Sequence, residues 1–416
     1  MNTLTGSTLW INGILATMDP ALRGDYGLLT NHVLITREES IQAVIPREEA
    51  TGIPGERIDL RGALVTPGFI DCHTHLVFAG NRAAEWEQRL RGVSYEELAA
   101  AGGGIQSTVN ATREADFEYL YKLSEGRLAA MAAEGVTTVE IKSGYGLDLD
   151  NERKILRVIR ALREKTGMDI SPTLLAAHSV PREFSGRPDD YIDEICLRIL
   201  PELRKEGLFE AVDIFCETIA FNTEQAEKLF KAAAVLGIPV KAHNEQRSNT
   251  GGSALLARYG GWSTDHIEHL GGEALQALEK SGTVAVLLPL AFWFLGDTHR
   301  PPVSLLRQHG IPLAVATDYN PGTSPFLSIR LAMNAACTCF GLTAAEVLAG
   351  VTRHAARALG RGRTHGQLKA GYRANFSIWA VERPVELFYE LGLNPLLHRV
   401  INGRISRFGQ KTDKES

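Results

Sequence analysis

The chain is 416 residues long, 44% hydrophobic and 22% charged, so it can bury a large core in one or a few domains. Its formal net charge is −5, and Lys and Arg are scattered rather than gathered into a stripe, which argues against a nucleic-acid partner. No apolar run reaches the roughly 18 residues that span a bilayer, and no charged-then-apolar leader is visible. Five scattered cysteines make no disulfide framework, so a soluble cytoplasmic protein with no membrane partner is expected.

The first 65 residues read as short strands and turns, as in "STLWING" and "HVLITREESIQAVI". The last fifty return to that style in "GQLKAGYRANFSIWAVERP" and "HRVINGRIS". Residues 1–65 and 367–416 are therefore expected to share one small β-sandwich domain. Between them, from 66 to 366, eight short apolar runs alternate with helical patterns. The runs are 68–75, 136–144, 171–179, 211–218, 238–245, 264–270, 283–290 and 311–322. The spacing predicts helices such as 151–167 and 223–237, the latter closed by Gly237. The fold class is α/β, a (β/α)8 TIM barrel.

Two other features read as structural. Gly102–Gly104 lacks the Lys-Ser/Thr that a phosphate loop would need. Cys337 and Cys339 fall in a helical stretch with unusual spacing for zinc, and are expected to be buried by packing.

In such a barrel the active site forms at the carboxyl ends of the strands. The first run ends in His73 and His75, the third in His178, the fifth in His243 and the eighth in Asp318, while the sixth carries His266. Residues two apart on a strand share a face, so His73 and His75 can bind one ion, although His-x-His alone is equally a polar strand end. His243 and Asp318 would complete an N3O donor set suited to zinc or iron, with a position open for water. The chemistry expected is metal-assisted hydrolysis, in which Asp318 accepts a proton from the water and His266 helps to orient or deprotonate it.

These positions resemble the amidohydrolase superfamily and, within it, the imidazolonepropionase family of histidine degradation. The likeness rests on "DCHTHLVFAGNRAAEW", "RLRGVSYEELAAAGGGIQSTVNATR", "EIKSGYGLD", "AAHSVP", "KAHNEQRSN" and "ATDYNPGTSP", and covers nearly the whole length. It implies metal ligands His73, His75, His243 and Asp318, one zinc or iron ion per subunit, and a homodimer. The implied substrate is 4-imidazolone-5-propanoate, opened to N-formimino-L-glutamate. The resemblance also implies substrate contacts at Arg82, Tyr95, Tyr145, His178, Gln246 and His266, and at Asn320, Gly322 and Thr323 in the loop after the eighth run. That loop could offer backbone N–H groups and a hydroxyl.

Arg82 reads as a surface arginine on composition alone; its role as a fork for the propanoate comes from the resemblance. Two-metal relatives often carry a carboxylated lysine after the fourth strand, but here that run ends in "FCET". Lys142 ends the second run and is expected to pair within "EIKSGYG". Related deaminases place a glutamate three residues after the fifth-strand histidine, and here that position is Gln246. Glu245 stands one residue earlier, its direction open. The alternatives are another cyclic amidohydrolase, a heterocycle deaminase or an inactive scaffold, against which every ligand position is filled. Asn375, where related chains often have Asp, is expected to lie away from the chemistry.

Overall fold

The computed structural model describes residues 6–93 and 103–409. Eight parallel strands lie side by side in chain order: β1 (Phe69–Asp71), β2 (Val136–Lys142), β3 (Asp169–Ala177), β4 (Ala211–Cys216), β5 (Ala242–Asn244), β6 (Ser263–His266), β7 (Val284–Leu287) and β8 (Leu313–Val315). The sheet closes just beyond β1 and β8, where Thr74 bridges Tyr319 in parallel. The expected (β/α)8 barrel is present. Its strands are buried on both faces, by side chains inside and helices outside, which is why they read as continuous apolar runs rather than alternating ones.

The helices begin and end where local chemistry sets them. Leu149–Thr166 starts two residues before the expected position because Asp148 caps it, accepting from Asn151 N. It stops at Gly167, whose φ of 68° is left-handed. Thr223–Val235 opens on a reciprocal capping box between Asn222 and Gln225. The apolar run 283–290 is not all strand. It breaks at Leu287, and Pro289 starts the helix Pro289–Leu295, because proline suits a first helical turn and cannot donate to a sheet. Cys337 and Cys339 lie in the helix Ile329–Phe340 as expected, but are half-buried rather than buried.

Two further sheets come from the chain's ends. A four-stranded sheet uses Ser7–Ile11, His32–Arg37, Ser40–Pro46 and Glu56–Asp59. A six-stranded sheet draws Ile14–Ala16, Leu28–Leu29 and Leu64–Pro67 from one end, and Phe376–Trp379, Leu396–Ile401 and Arg404–Ser406 from the other. The second sheet docks against the amino ends of the barrel strands. Trp379 lies 4.9 Å from the Phe69 ring and donates to Thr66 Oγ1 at 3.0 Å. Buried Arg399 donates to Val136 O at 3.0 Å, and Ser377 Oγ to Gly135 O at 3.0 Å. The floor of the barrel is covered and its carboxyl rim is left free for chemistry. Among the described residues, no helix is long and apolar enough to cross a membrane.

Gly135 is a tight point of that junction. Its φ is +88°, and an added Cβ would sit 2.6 Å from Trp379 Cζ2. Gly135→Ala is expected to cost about 2–4 kcal/mol, from overpacking and left-handed backbone together, read as a lower denaturant midpoint with the slope unchanged.

A candidate metal centre at the carboxyl ends of the strands

His73 and His75 follow β1, and the residue between them points away, Thr74 Oγ1 donating to Glu140 O at 2.6 Å. His243 lies within β5, and Asp318 comes three residues after β8. The closure seam joins these segments: Asp318 N donates to His73 O at 3.1 Å, and His75 N to Tyr319 O at 2.9 Å. As a result His243 Nε2 is 3.3 Å from His75 Nε2, and Asp318 Oδ1 is 3.3 Å from His73 Nε2 and 3.5 Å from His75 Nε2. All four residues are buried.

That spacing fits a cation. His73 Nδ1 is 2.6 Å from Asp265 Oδ2, and His243 Nδ1 is 3.1 Å from Asp213 Oδ1. A hydrogen on each Nδ1 satisfies these carboxylates and turns bare Nε2 lone pairs toward each other and toward a carboxylate. His73 Nε2 has no hydrogen-bond partner. Metal–nitrogen bonds of roughly 2.0–2.1 Å in a tetrahedron give ligand–ligand edges of about 3.3–3.4 Å, close to the observed separations. Burial works to raise the Asp318 carboxyl, but His73 and His75 outweigh it and hold it well below the usual range.

Beneath the ligands lies a fully buried layer of charge. Lys142 Nζ is 2.6 Å from Asp213, 3.0 Å from Glu140 and 3.5 Å from Asp265. Lys241 Nζ is 2.6 Å from Glu140, which also accepts from Thr173 Oγ1 at 2.6 Å. Burial opposes charge on Lys142, yet its carboxylate partners prevail and hold the ammonium well above the usual lysine range. Lys142 therefore does form an ion pair within "EIKSGYG", with Glu140, and it also pairs across the barrel interior with Asp213 and Asp265. The side chain of the final β2 residue faces inward, so its partners come from β2, β4 and β6.

A cavity of about 530 Å³ opens above the ligands. Arg82, Tyr145, His178, Gln246, His266, Asn320, Gly322 and Thr323 line it together with His75, His243 and Asp318. Tyr95 lies outside the described residues. Arg89, Arg247, His269 and Asp297 also line the cavity and were not singled out in the sequence. Arg82 is no surface arginine: 15% of its side chain is exposed, and its Nε donates to Glu85 at 2.9 Å. Glu85 is itself tied by Gly104 N and Ser107 Oγ.

His178 stacks on His75 at 5.0 Å between centroids, and its Nδ1 donates to Gly144 O at 3.0 Å. Burial first, then His75, lowers its pKa to about 3. Burial also lowers His266 to about 4, and its Nδ1 has no partner. Both rings are neutral at ordinary pH. In the loop after β8, the expected free N–H groups are already used: Gly322 N and Thr323 N donate to Asn320 Oδ1 at 2.9 and 2.7 Å.

Left-handed non-glycine residues mark several strand ends: Glu245 at φ 52°, His266 at 79°, Ile267 at 65° and Asp318 at 52°. Such backbone is costly and persists only where surrounding structure holds it. At Glu245 it breaks the strand alternation and turns the carboxylate away from the cavity onto Ser253.

A family model described as "Amidohydrolase family" matches residues 64–405. An imidazolonepropionase from Klebsiella pneumoniae subsp. pneumoniae is 57% identical over 397 residues, covering 95% of this chain and 98% of its own. One from Salmonella paratyphi A is 57% identical over 404 residues, covering 97% and 99%. The chain belongs to the amidohydrolase family, with the imidazolonepropionases. Among solved structures, a triazine hydrolase variant superposes with a TM-score of 0.74 at 18% identity, over 96% of this chain and 94% of that one, a likeness of fold. Membership in this family makes the chain a metal-dependent hydrolase, and the buried histidines and aspartate are its candidate metal site. Metal analysis is expected to find one ion per chain in the wild type and none in His73→Ala combined with His75→Ala; full retention by that variant would remove the site.

Proposed function

We propose that the protein hydrolyses the ring of 4-imidazolone-5-propanoate to N-formimino-L-glutamate, a step of L-histidine breakdown. The observation that carries this reading is 57% identity to imidazolonepropionases over nearly the full length of both chains. In this reading residues 66–366 are the catalytic unit, and 1–65 with 367–416 form the β unit beneath it. His73, His75, His243 and Asp318 would hold one zinc or iron ion, since three imidazoles and a carboxylate suit both. Such an ion supplies a Lewis acid for the ring carbonyl and makes water acidic enough to attack near neutral pH.

The chain's own groups divide the remaining work. Asp318 is ionised and buried beside His266, so the pair can take up the proton released by the attacking water. His266, neutral and with a free Nδ1, is suited to return a proton to the ring nitrogen as the C–N bond breaks. His178 has committed Nδ1–H to Gly144, which leaves Nε2 as an acceptor for a ring N–H, while Gln246 can donate and accept. Gln246 cannot shuttle a proton, and Glu245 is turned away, which favours ring opening over deamination.

Arg82 is the group for the propanoate. Glu85 holds its Nε, which leaves the terminal nitrogens to make a paired contact with a carboxylate. The guanidinium rests on the Gly322 backbone, where an added Cβ would lie 2.9 Å from Arg82 Cζ.

The reaction is tested by incubating the protein with 4-imidazolone-5-propanoate and following loss of the ring's ultraviolet absorbance. The signal should fall, stop with a chelator and resume with added metal; a metal-loaded protein that leaves the absorbance unchanged overturns the reading. Arg82→Ala should raise KM about 10–150-fold, the worth of a charge-assisted paired contact of roughly 1.5–3 kcal/mol. Gly322→Ala should raise KM by a smaller factor through displacing Arg82, with the melting temperature unchanged; an unaltered KM in both variants would remove Arg82 from the substrate.

A further inference from the structure

His73 follows β1 and His243 lies in β5, yet each gives its Nδ1 to a carboxylate, Asp265 on β6 and Asp213 on β4. One ammonium joins those carboxylates. Lys142 Nζ donates to Asp213 Oδ2 at 2.6 Å and to Asp265 Oδ2 at 3.5 Å, with Glu140 Oε2 at 3.0 Å completing its shell. The result is a continuous chain, His73–Asp265–Lys142–Asp213–His243, whose side chains are at most 4% exposed. It runs beneath the donor set, and of its members only His243 lines the cavity.

We propose that Lys142 is a positioning residue for the metal centre, holding Asp213 and Asp265 so that both histidines keep their hydrogens on Nδ1 and their Nε2 lone pairs on the ion. The inference rests on the reading of His73, His75, His243 and Asp318 as ligands, and it assigns a residue that touches neither ion nor substrate. The geometry makes Lys142 the only described group that contacts both carboxylates. Without its ammonium, two buried carboxylates lose the cation that is hydrogen-bonded to both, and the other buried ammonium near them, Lys241, is bonded to Glu140 instead. Each would then move, and the imidazole it holds would lose its fixed tautomer and angle. The three-strand reach of one amine explains why a lysine stands at the end of β2, where the neighbouring loop offers it no partner.

The test is Zn2+ affinity, measured by competition with a chromophoric chelator on metal-stripped full-length protein whose folding is checked by circular dichroism and thermal melting. Wild type should bind one ion per chain. Lys142→Met should weaken binding about 10–100-fold, the usual effect of losing an outer partner of a ligand. Asp213→Asn should do the same, and the double variant should lose no more than about threefold beyond either single one, because both act through one linkage. A purely structural lysine would lower the melting temperature and leave Zn2+ affinity at the wild-type value, which overturns the proposal, as would fully additive losses. If Lys142→Met does not fold, Asp213→Asn, Asp265→Asn and their combination carry the same test: coupled losses support the chain, independent ones overturn it. A wild type that binds no metal defeats the ligand assignment instead, so the two failures are distinguishable.

Discussion

Closing the barrel and assembling the metal ligands are the same event. An open eight-stranded sheet would leave two bare edges, and here the edges meet through Asp318 N to His73 O, His75 N to Tyr319 O, and Thr317 Oγ1 to Asp71 Oδ2 at 2.6 Å. Asp71 and Thr317 are 246 positions apart in the chain. The backbone of His73, His75 and Asp318 makes this seam while their side chains face the ion, so any shift of register would pull them apart. The left-handed turn at Asp318 belongs to the same constraint, since it lets the backbone pair outward with β1 while the carboxylate points in.

Burial of so many charges is tolerable only because they cancel locally. Lys142 and Lys241 pair with Glu140, Asp213 and Asp265, and Asp318 lies above them against His73 and His75; two cations against these four carboxylates leave two negative charges that one divalent ion would neutralise. Asp71 stands apart at the seam, where burial pushes its carboxyl up to about 7 and the Thr317 hydroxyl and N–H oppose the rise. The interior is therefore built for a cation, and the apolar clusters around it exclude the water that would otherwise screen these charges.

The barrel was legible because parallel strands covered on both faces leave short apolar runs at regular intervals, and eight of them could be counted. The ligands were legible from period two, which puts His73 and His75 on one face, and from polar residues ending the fifth and eighth runs. The same period holds a signal that went unread: Glu140 and Lys142 are two apart, as are Lys241 and His243, and Asp213 interrupts an otherwise apolar run. Charges at such positions in a buried strand must find one another. What sequence could not convey depends on contacts between distant segments or on backbone shape. Glu245 turns away because a non-glycine residue adopts positive φ, and Arg82 is largely covered because Gly322, far along the chain, closes on it while Glu85 of the helix Ala83–Leu90 holds its Nε. The strand limit at Leu287 lies two residues before Pro289, so there the signal for the boundary is present in the sequence.

The mixed parentage of the six-stranded sheet also orders events in time. Pro67 pairs with Phe376 and Leu64 with Trp379, so the strand just before the barrel waits for its neighbour until almost the whole chain has been made. At roughly 5–20 residues per second, that delay is about a quarter of a minute to one minute of synthesis. During it the barrel's floor, including Phe69 and Gly135, stands uncovered. A nascent chain stalled before residue 376 would present that apolar surface to its surroundings, which makes the late strand a quality seal on a completed molecule.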